Sequence, residues 1–586
     1  MSTTARASAS PPPNPEAKRP RLGNGPRNGE SPKRFNGPAA GAGAGAEAGS
    51  SAKAAKMEAK RTAHRLKMKR KDRERTLAKT GEEPIAYDIL EMLGAEKVQS
   101  ILAAGAAKEF EDKFSKGTEL ELVIERLSSH GDGLAKAASG DWVVAVPRCL
   151  PGETVRAKVF GNERLHSKAD LVEIVKPAAE SSSAPIKRQD ELVRCKYFSS
   201  CSGCQYQMLS YDTQLAIKQN VVRRAFANFA KLDPLLIPDT LPTIPSPLQY
   251  SYRTKLTPHF EIPFEIRQER RRTRGKETPT SFFSDDVDVA VGFGRLGGKD
   301  VLDIEECSIA TATINGALPA ERQKVKCAIK SYKNGATVLL RDSLRSFESL
   351  AEDKTTENGA QYDTEVVTNH KAGVKERVND TKFDSPAGAF FQNNRSILPS
   401  LLGYVREQII LHSTPTPTAD TAAAESDQEK ASRYLVDAYC GSGLFSLCLA
   451  DLFEQVSGVE ISQDSIKYAK TNAELNGITN AQFLAGNAED IFAKIAYPSD
   501  KTTVIIDPPR RGCDEAFIRQ LLELDPWLIV YVSCNVHTQA RDVGQIVRGR
   551  SADGQERRYD VLSVRGADLF PQTHHVEGVC VLKRRQ

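Results

Sequence analysis

The sequence is short of several features that would place it quickly. It holds 2 Trp and 5 Met in 586 residues, and aromatic residues make up only 7%. No apolar stretch approaches the roughly 18–20 residues of a bilayer-spanning helix, so no membrane partner is expected. The opening residues, with Pro11-Pro12-Pro13, lack the apolar block of a secretory signal. Cysteine is sparse and unevenly spaced, 11 residues and therefore an odd count. That argues against a disulfide framework and for a reducing compartment in which thiols bind metal or react. Net charge is small too, a formal +5.

What is there is unevenly distributed. Residues 1–80 carry 19 Lys and Arg against 6 Asp and Glu, leaving 62 against 70 in the rest. A basic arm is thus joined to a mildly acidic body, a charge asymmetry that points to an anionic partner. Up to residue 58 the arm is rich in Pro, Gly, Ala and Ser, with Phe35 its only aromatic residue. Such a segment buries too little apolar surface to offset chain entropy, so disorder is expected. Lys18-Arg19-Pro20-Arg21 reads equally as a nuclear-import signal or a solvated basic tail, and residues 59–79 read as a basic helix. The expected compartment is the nucleus or cytoplasm, with the mitochondrion left open.

Segments 81–116, 117–177, 178–382 and 383–586 differ in pattern. The first is a helical linker. The second alternates apolar and polar residues in four short runs, with turns at Gly131-Asp132-Gly133 and Pro151-Gly152, which predicts a small N-terminal β-barrel. The third mixes strands and helices, a central α+β domain with a basic insert at Arg267 to Lys276. After a low-complexity insert at 413–432, the fourth alternates apolar strands with helices. That is the pattern of a doubly wound, parallel α/β sheet of Rossmann-like type.

Candidate ligand contacts fall where open α/β sheets bind ligands, at the carboxyl ends of the strands. Asp437-Ala438-Tyr439-Cys440-Gly441-Ser442-Gly443 joins a strand to a helix through two glycines. Glu460 ends the next strand, placed for ribose hydroxyls; Asn487 follows the third, and Asp507-Pro508-Pro509-Arg510 the fourth. No Walker lysine accompanies the glycines, so S-adenosylmethionine is a better cofactor than a nucleoside triphosphate. Cys534 lies at a strand end before a helix. There a thiolate gains from the helix dipole, which would lower its pKa, although a buried structural cysteine fits the position equally well.

Separated motifs then occur in one order: Tyr252-Arg253-Thr254-Lys255, Phe383-Asp384-Ser385-Pro386 with Phe390-Phe391-Gln392-Asn393-Asn394, then DPPRRG, YVSCN and HHVEGV. Over residues 117–586 they resemble the RNA uridine-C5 methyltransferases, whose core is a class I methyltransferase domain. Residues 117–177 resemble the RNA-binding TRAM domain, and barrel and arm together resemble the fungal tRNA members. The resemblance implies that Cys534 adds to uracil C6, that C5 then takes the methyl group, and that Glu577 removes the C5 proton. It places Gln392, Tyr439, Glu460 and Asp507 on the cofactor, and Arg510, Tyr252 and Arg253 on the substrate side. Tyr252 would grip bases around the target. The substrate would be the T-loop uridine of tRNA, position 54, taken by a monomer. An rRNA uridine is the alternative, and a non-catalytic RNA-binding or tRNA-folding protein is a third reading, disfavoured by the retained Cys534 and Glu577. Val536, Gly578 and Leu444 depart from the family's usual residues. Cys195, Cys201 and Cys204, with distant Cys307, have a spacing that suits an iron–sulfur cluster better than zinc; the resemblance implies a four-iron–four-sulfur cluster. Some bacterial ribosomal members bind such a cluster; unliganded thiols are the alternative.

Overall fold

The computed structural model describes residues 64, 67–69, 71, 83–105, 108–178, 186–272, 288–347, 350–356, 359–413, 434–486, 492, 495–549 and 559–585. Nearly all of the basic arm, residues 273–276 of the basic insert, residues 414–432 and Asn487 lie outside this set. None of the described helices is long and apolar enough to cross a membrane.

Two short helices, α1 (Pro84–Leu93) and α2 (Ala95–Ala103), precede six strands. These are β1 (Glu119–Val123), β2 (Arg126–Leu127), β3 (Gly133–Lys136), β4 (Val143–Val146), β5 (Thr154–Asn162) and β6 (His166–Lys176), in the order β1-β5-β6-β4-β3-β2. The outermost two strands are successive on the chain. Between them, the N–H of Ile124 donates to the Glu153 carbonyl and that of Glu125 to the Leu134 carbonyl, both at 2.9 Å. Alternation places Val155, Ala157 and Val159 of β5 inside, against Leu122 and Val144. Ile85, Ile89 and Met92 of α1 cover the other face through Leu134 and Val143.

Helix α3 (Tyr211–Phe229), capped by the Ser210 hydroxyl, leads to strand β7 (Thr240–Ile244). Beyond it the central region forms small sheets around helix Ala312–Ala328 and a hairpin of Gly373–Val378 with Thr381–Pro386. The last part runs α4 (Leu398–Ser413), β8 (Tyr434–Ala438), α5 (Leu444–Cys448), β9 (Gln455–Glu460), α6 (Gln463–Leu475) and β10 (Ala481–Ala485). It continues with β11 (Thr502–Ile506), α7 (Glu515–Leu524), β12 (Leu528–Ser533), α8 (Val536–Val547), β13 (Tyr559–Ala567) and β14 (Glu577–Arg584). Together with β7 these strands make one eight-stranded sheet, β10-β9-β8-β11-β12-β14-β13-β7. The first five run parallel, and β14 is antiparallel to both neighbours. Strands β11 and β12 are buried along their whole length, as a sheet covered on both faces requires.

The large sheet draws one strand from before residue 383. Strand β7 pairs in parallel with β13, so the large sheet takes its edge strand from the segment assigned to the central domain. Helix α3 comes with it. Buried Lys218 pairs with buried Asp568, and Gln214 Nε2 donates to Gln572 Oε1 at 3.1 Å, fastening α3 to the loop before β14.

Candidate active site

Strand β8 ends in a turn that only particular residues tolerate. Tyr439, Gly441 and Gly443 have φ of 66°, 55° and 95°. At Gly443 a Cβ would also lie 3.1 Å from Leu447, whereas in front of Gly441 nothing stands within 4 Å. Positive φ and an open approach to backbone are what a ligand cradle needs. Glu460, at the end of β9, closes the turn from one side: its Oε2 accepts the Gly441 N–H at 3.3 Å and its Oε1 the Ser462 N–H at 3.0 Å. Buried Asp437 holds α5 through the Ser446 N–H at 2.9 Å, and its other oxygen has no partner among the described residues. Burial pushes that carboxyl up to about 7. An unsatisfied buried acceptor beside an open glycine turn fits a cofactor with hydrogen-bond donors, as S-adenosylmethionine has.

Asn472 was not singled out by the sequence, because its role joins two distant segments. It is fully buried on α6, donates to the Ser442 carbonyl at 3.1 Å and accepts the Asp384 N–H at 2.7 Å. It thereby ties the glycine turn to the Phe383–Pro386 segment, which leads to Gln392. Gln392 is buried beside Phe391. The Tyr439 ring packs on Phe517, centroids 5.1 Å apart.

The reacting side is assembled by strand register. Ser533 of β12 lies opposite Gly578 of β14, which brings the next residue of one strand, Cys534, beside the previous residue of the other, Glu577. Glu577 is completely buried, and neither carboxylate oxygen has a partner among the described residues. Burial and the nearby Asp507 push it well above the usual carboxylate range, against the pull of Arg510. Asp507, one residue beyond β11, is itself raised to about 7 by burial and by Asp437. The Arg510 side chain lies close enough to Cys534 to favour its thiolate. Its carbonyl accepts from Asn535 Nδ2 at 2.9 Å and Thr538 Oγ1 at 3.2 Å, so the Asp507–Arg510 loop is pinned to the start of α8.

Three sequence expectations need correction here. Cys534 is raised, not lowered, to about 11 by burial and by the Glu577 and Asp507 charges, Arg510 opposing. The helix start does not offset this, because its N-cap is Asn535, whose side chain takes the His537 N–H. Tyr252 is 2% exposed and its hydroxyl donates to the Pro571 carbonyl at 3.0 Å, so it braces the loop before β14 and cannot stack on a base. Among the described residues, the four cysteines are not arranged as a metal centre. They influence one another electrostatically, yet no three His, Cys, Asp or Glu among the described residues stand close enough together to hold an ion. Burial pushes Cys204 up to about 12 and Cys307 to about 11. The Arg148 guanidinium beside them donates to the carbonyls of Ser199, Cys201 and Cys204 instead of to sulfur.

Arg253 stays at the edge of the site, partly buried, its Nε donating to the Lys255 carbonyl at 2.9 Å. The departure at Gly578 has a packing cause. Gln539 donates to the Tyr531 and Gly578 carbonyls at 2.7 and 3.0 Å, and a Cβ at Gly578 would stand 2.2 Å from Gln539 Oε1.

Comparison with known proteins agrees with this geometry. Residues 421–585 match the model of the tRNA (uracil-5-)-methyltransferase family. A tRNA (uracil(54)-C(5))-methyltransferase of Schizosaccharomyces pombe is 43% identical over 471 residues, covering 80% of this chain and 79% of that protein. The chain belongs to the tRNA (uracil-5-)-methyltransferase family. Another relative, the Saccharomyces cerevisiae tRNA (uracil(54)-C(5))-methyltransferase, is 40% identical over 494 residues, covering 79% of this chain and 73% of that protein. Among solved structures, the Pyrococcus abyssi tRNA (uracil-54, C5)-methyltransferase with S-adenosyl-L-homocysteine is similar in fold. Its TM-score is 0.50 at 21% identity, covering 79% of this chain and 100% of that one.

Proposed function

We propose that this chain methylates C5 of the tRNA T-loop uridine, position 54, through a covalent bond between Cys534 Sγ and uracil C6. The observation that carries it is the register that sets Cys534 beside the buried Glu577, with Arg510 near enough to favour the thiolate. Uracil C5 is a poor nucleophile until a thiolate adds to C6 and an enolate forms. Arg510 stabilises the thiolate as it forms and can orient the base edge. Glu577, poised above the usual carboxylate range, accepts the C5 proton, after which elimination frees Cys534. S-adenosylmethionine, when bound, supplies the electrophilic methyl group. Gln392, Tyr439, Glu460 and Asp507 are the residues that would hold it, against the open Gly441 turn.

The target base must leave its stack to reach Cys534. The sheet of residues 117–177, whose outermost strands are continuous through Ile124 and Glu125, supports a TRAM-like barrel that grips the RNA. The segment boundaries at 80, 116, 177 and 382, a monomeric state and a nuclear or cytoplasmic location belong to the same reading. The names of the fungal relatives favour tRNA over rRNA. Labelled methyl transfer to unmodified tRNA and rRNA transcripts tests the proposal, with labelling of tRNA at position 54 as the expected result. Labelling of rRNA alone would move the substrate to rRNA, and labelling of neither would remove the enzyme reading.

A further inference from the structure

The cleft in front of Cys534, about 220 Å³, is lined by four imidazoles that the chemistry above does not use. His130 comes from the turn between β2 and β3, His537 from α8, and His574 and His575 from the loop before β14. Of these, His574 is held in one tautomer. Gln205 Nε2 donates to the Ser202 carbonyl at 3.2 Å, which makes Oε1 the accepting end of that amide. Oε1 takes the His574 backbone N–H at 3.1 Å and faces its Nδ1 at 3.2 Å. A carbonyl oxygen can only accept, so Nδ1 carries the ring proton and Nε2 keeps a lone pair. Nε2 has no partner among the described residues.

The ring is also fixed in place, 4.1 Å from His575 and 5.4 Å from His130 between centroids. A second proton is disfavoured by burial and by His575, His130, Lys218 and Arg510 around it, which hold the ring at about 2. The cleft therefore presents, beside the nucleophile, a neutral acceptor that does not become a donor at working pH.

Uracil and cytosine differ at the atom such a group would read. Uracil N3 carries a hydrogen; cytosine N3 carries a lone pair. We infer that His574 selects the base, its Nε2 accepting the N3–H of a uracil seated in the cleft and repelling the N3 lone pair of a cytosine. This rests on the proposed uridine methyl transfer and adds to it the group that discriminates.

The test compares kcat/KM for tRNA transcripts carrying uridine or 3-methyluridine at position 54, as a ratio within each full-length enzyme, so that any loss of folded protein cancels. A site built around a hydrogen bond rejects a substrate that lacks the donor, so the wild-type ratio should be about 10² or more. His574→Ala should lower the ratio at least about tenfold, and His574→Gln, which can offer an amide oxygen, should retain more of it than alanine does. A wild-type ratio near unity, or one unchanged within about twofold in His574→Ala, overturns the role of His574 alone. Absence of any wild-type labelling overturns the methyl-transfer reading and this one with it.

Discussion

Two regions of this molecule bring cysteine up against an arginine, and they come to opposite ends. At the ends of β12 and β14, Arg510 and Cys534 line one open cleft, and the guanidinium favours the thiolate. In the 195–204 loop, Arg148 lies over the Phe198 ring, 5.0 Å from its centroid, and donates to backbone carbonyls. Burial raises the thiol in both places, Cys534 to about 11 and Cys204 to about 12. A shifted pKa therefore does not separate a nucleophile from a structural cysteine. The difference lies in access for a substrate and in the acid alongside. Cys534 has Glu577, whereas the clustered thiols have mainly one another.

Removing Cys534 should break the comparison most severely. Cys534→Ala is expected to lower methyl transfer by about 10⁴-fold or more, measured with labelled cofactor, while cofactor binding by calorimetry is retained. Glu577→Gln should slow turnover by about 10²–10⁴-fold, and the enzyme–RNA adduct should accumulate on denaturing gels. Normal turnover in that variant would show that Glu577 is not the base.

The pH dependence sharpens the comparison. Because the Cys534 pKa is raised, its thiolate fraction, and so its alkylation rate, should climb about tenfold per pH unit from 7 towards 10. Arg510→Ala removes the one cation favouring the thiolate, so alkylation of Cys534 below pH 11 should slow by about tenfold. Peptide mass spectrometry reads both, and a plateau near pH 7 would contradict them. The smallest effect is expected at the other region. Cys204→Ser should leave kcat/KM within about twofold and cost on the order of 1 kcal/mol in chemical denaturation.

How much of this was legible in the sequence depends on range. The parallel strands and the glycine turn are local patterns, and the order β8 to β12 follows from them. Cys534 and Glu577 lie in two separate motifs that resemble a family, although only the β12–β14 register shows why they meet. Tyr252 and Asn472 were misread or missed because their partners, Pro571 and Ser442, are remote in sequence. Strand β7 contains Pro242 and alternates weakly, so nothing local announced that it would join the large sheet. The cysteine spacing was genuine as a pattern, but spacing along the chain does not set the distances among sulfurs.

The most direct test of the covalent mechanism uses tRNA with 5-fluorouridine at position 54. Fluorine at C5 cannot be removed as a proton, so elimination should stall after methyl transfer. The expected result is a cofactor-dependent protein–RNA adduct that maps to the peptide containing Cys534 and is absent from Cys534→Ala. An adduct on any other cysteine, or none while unmodified tRNA is methylated, would contradict the assignment of Cys534 as the nucleophile.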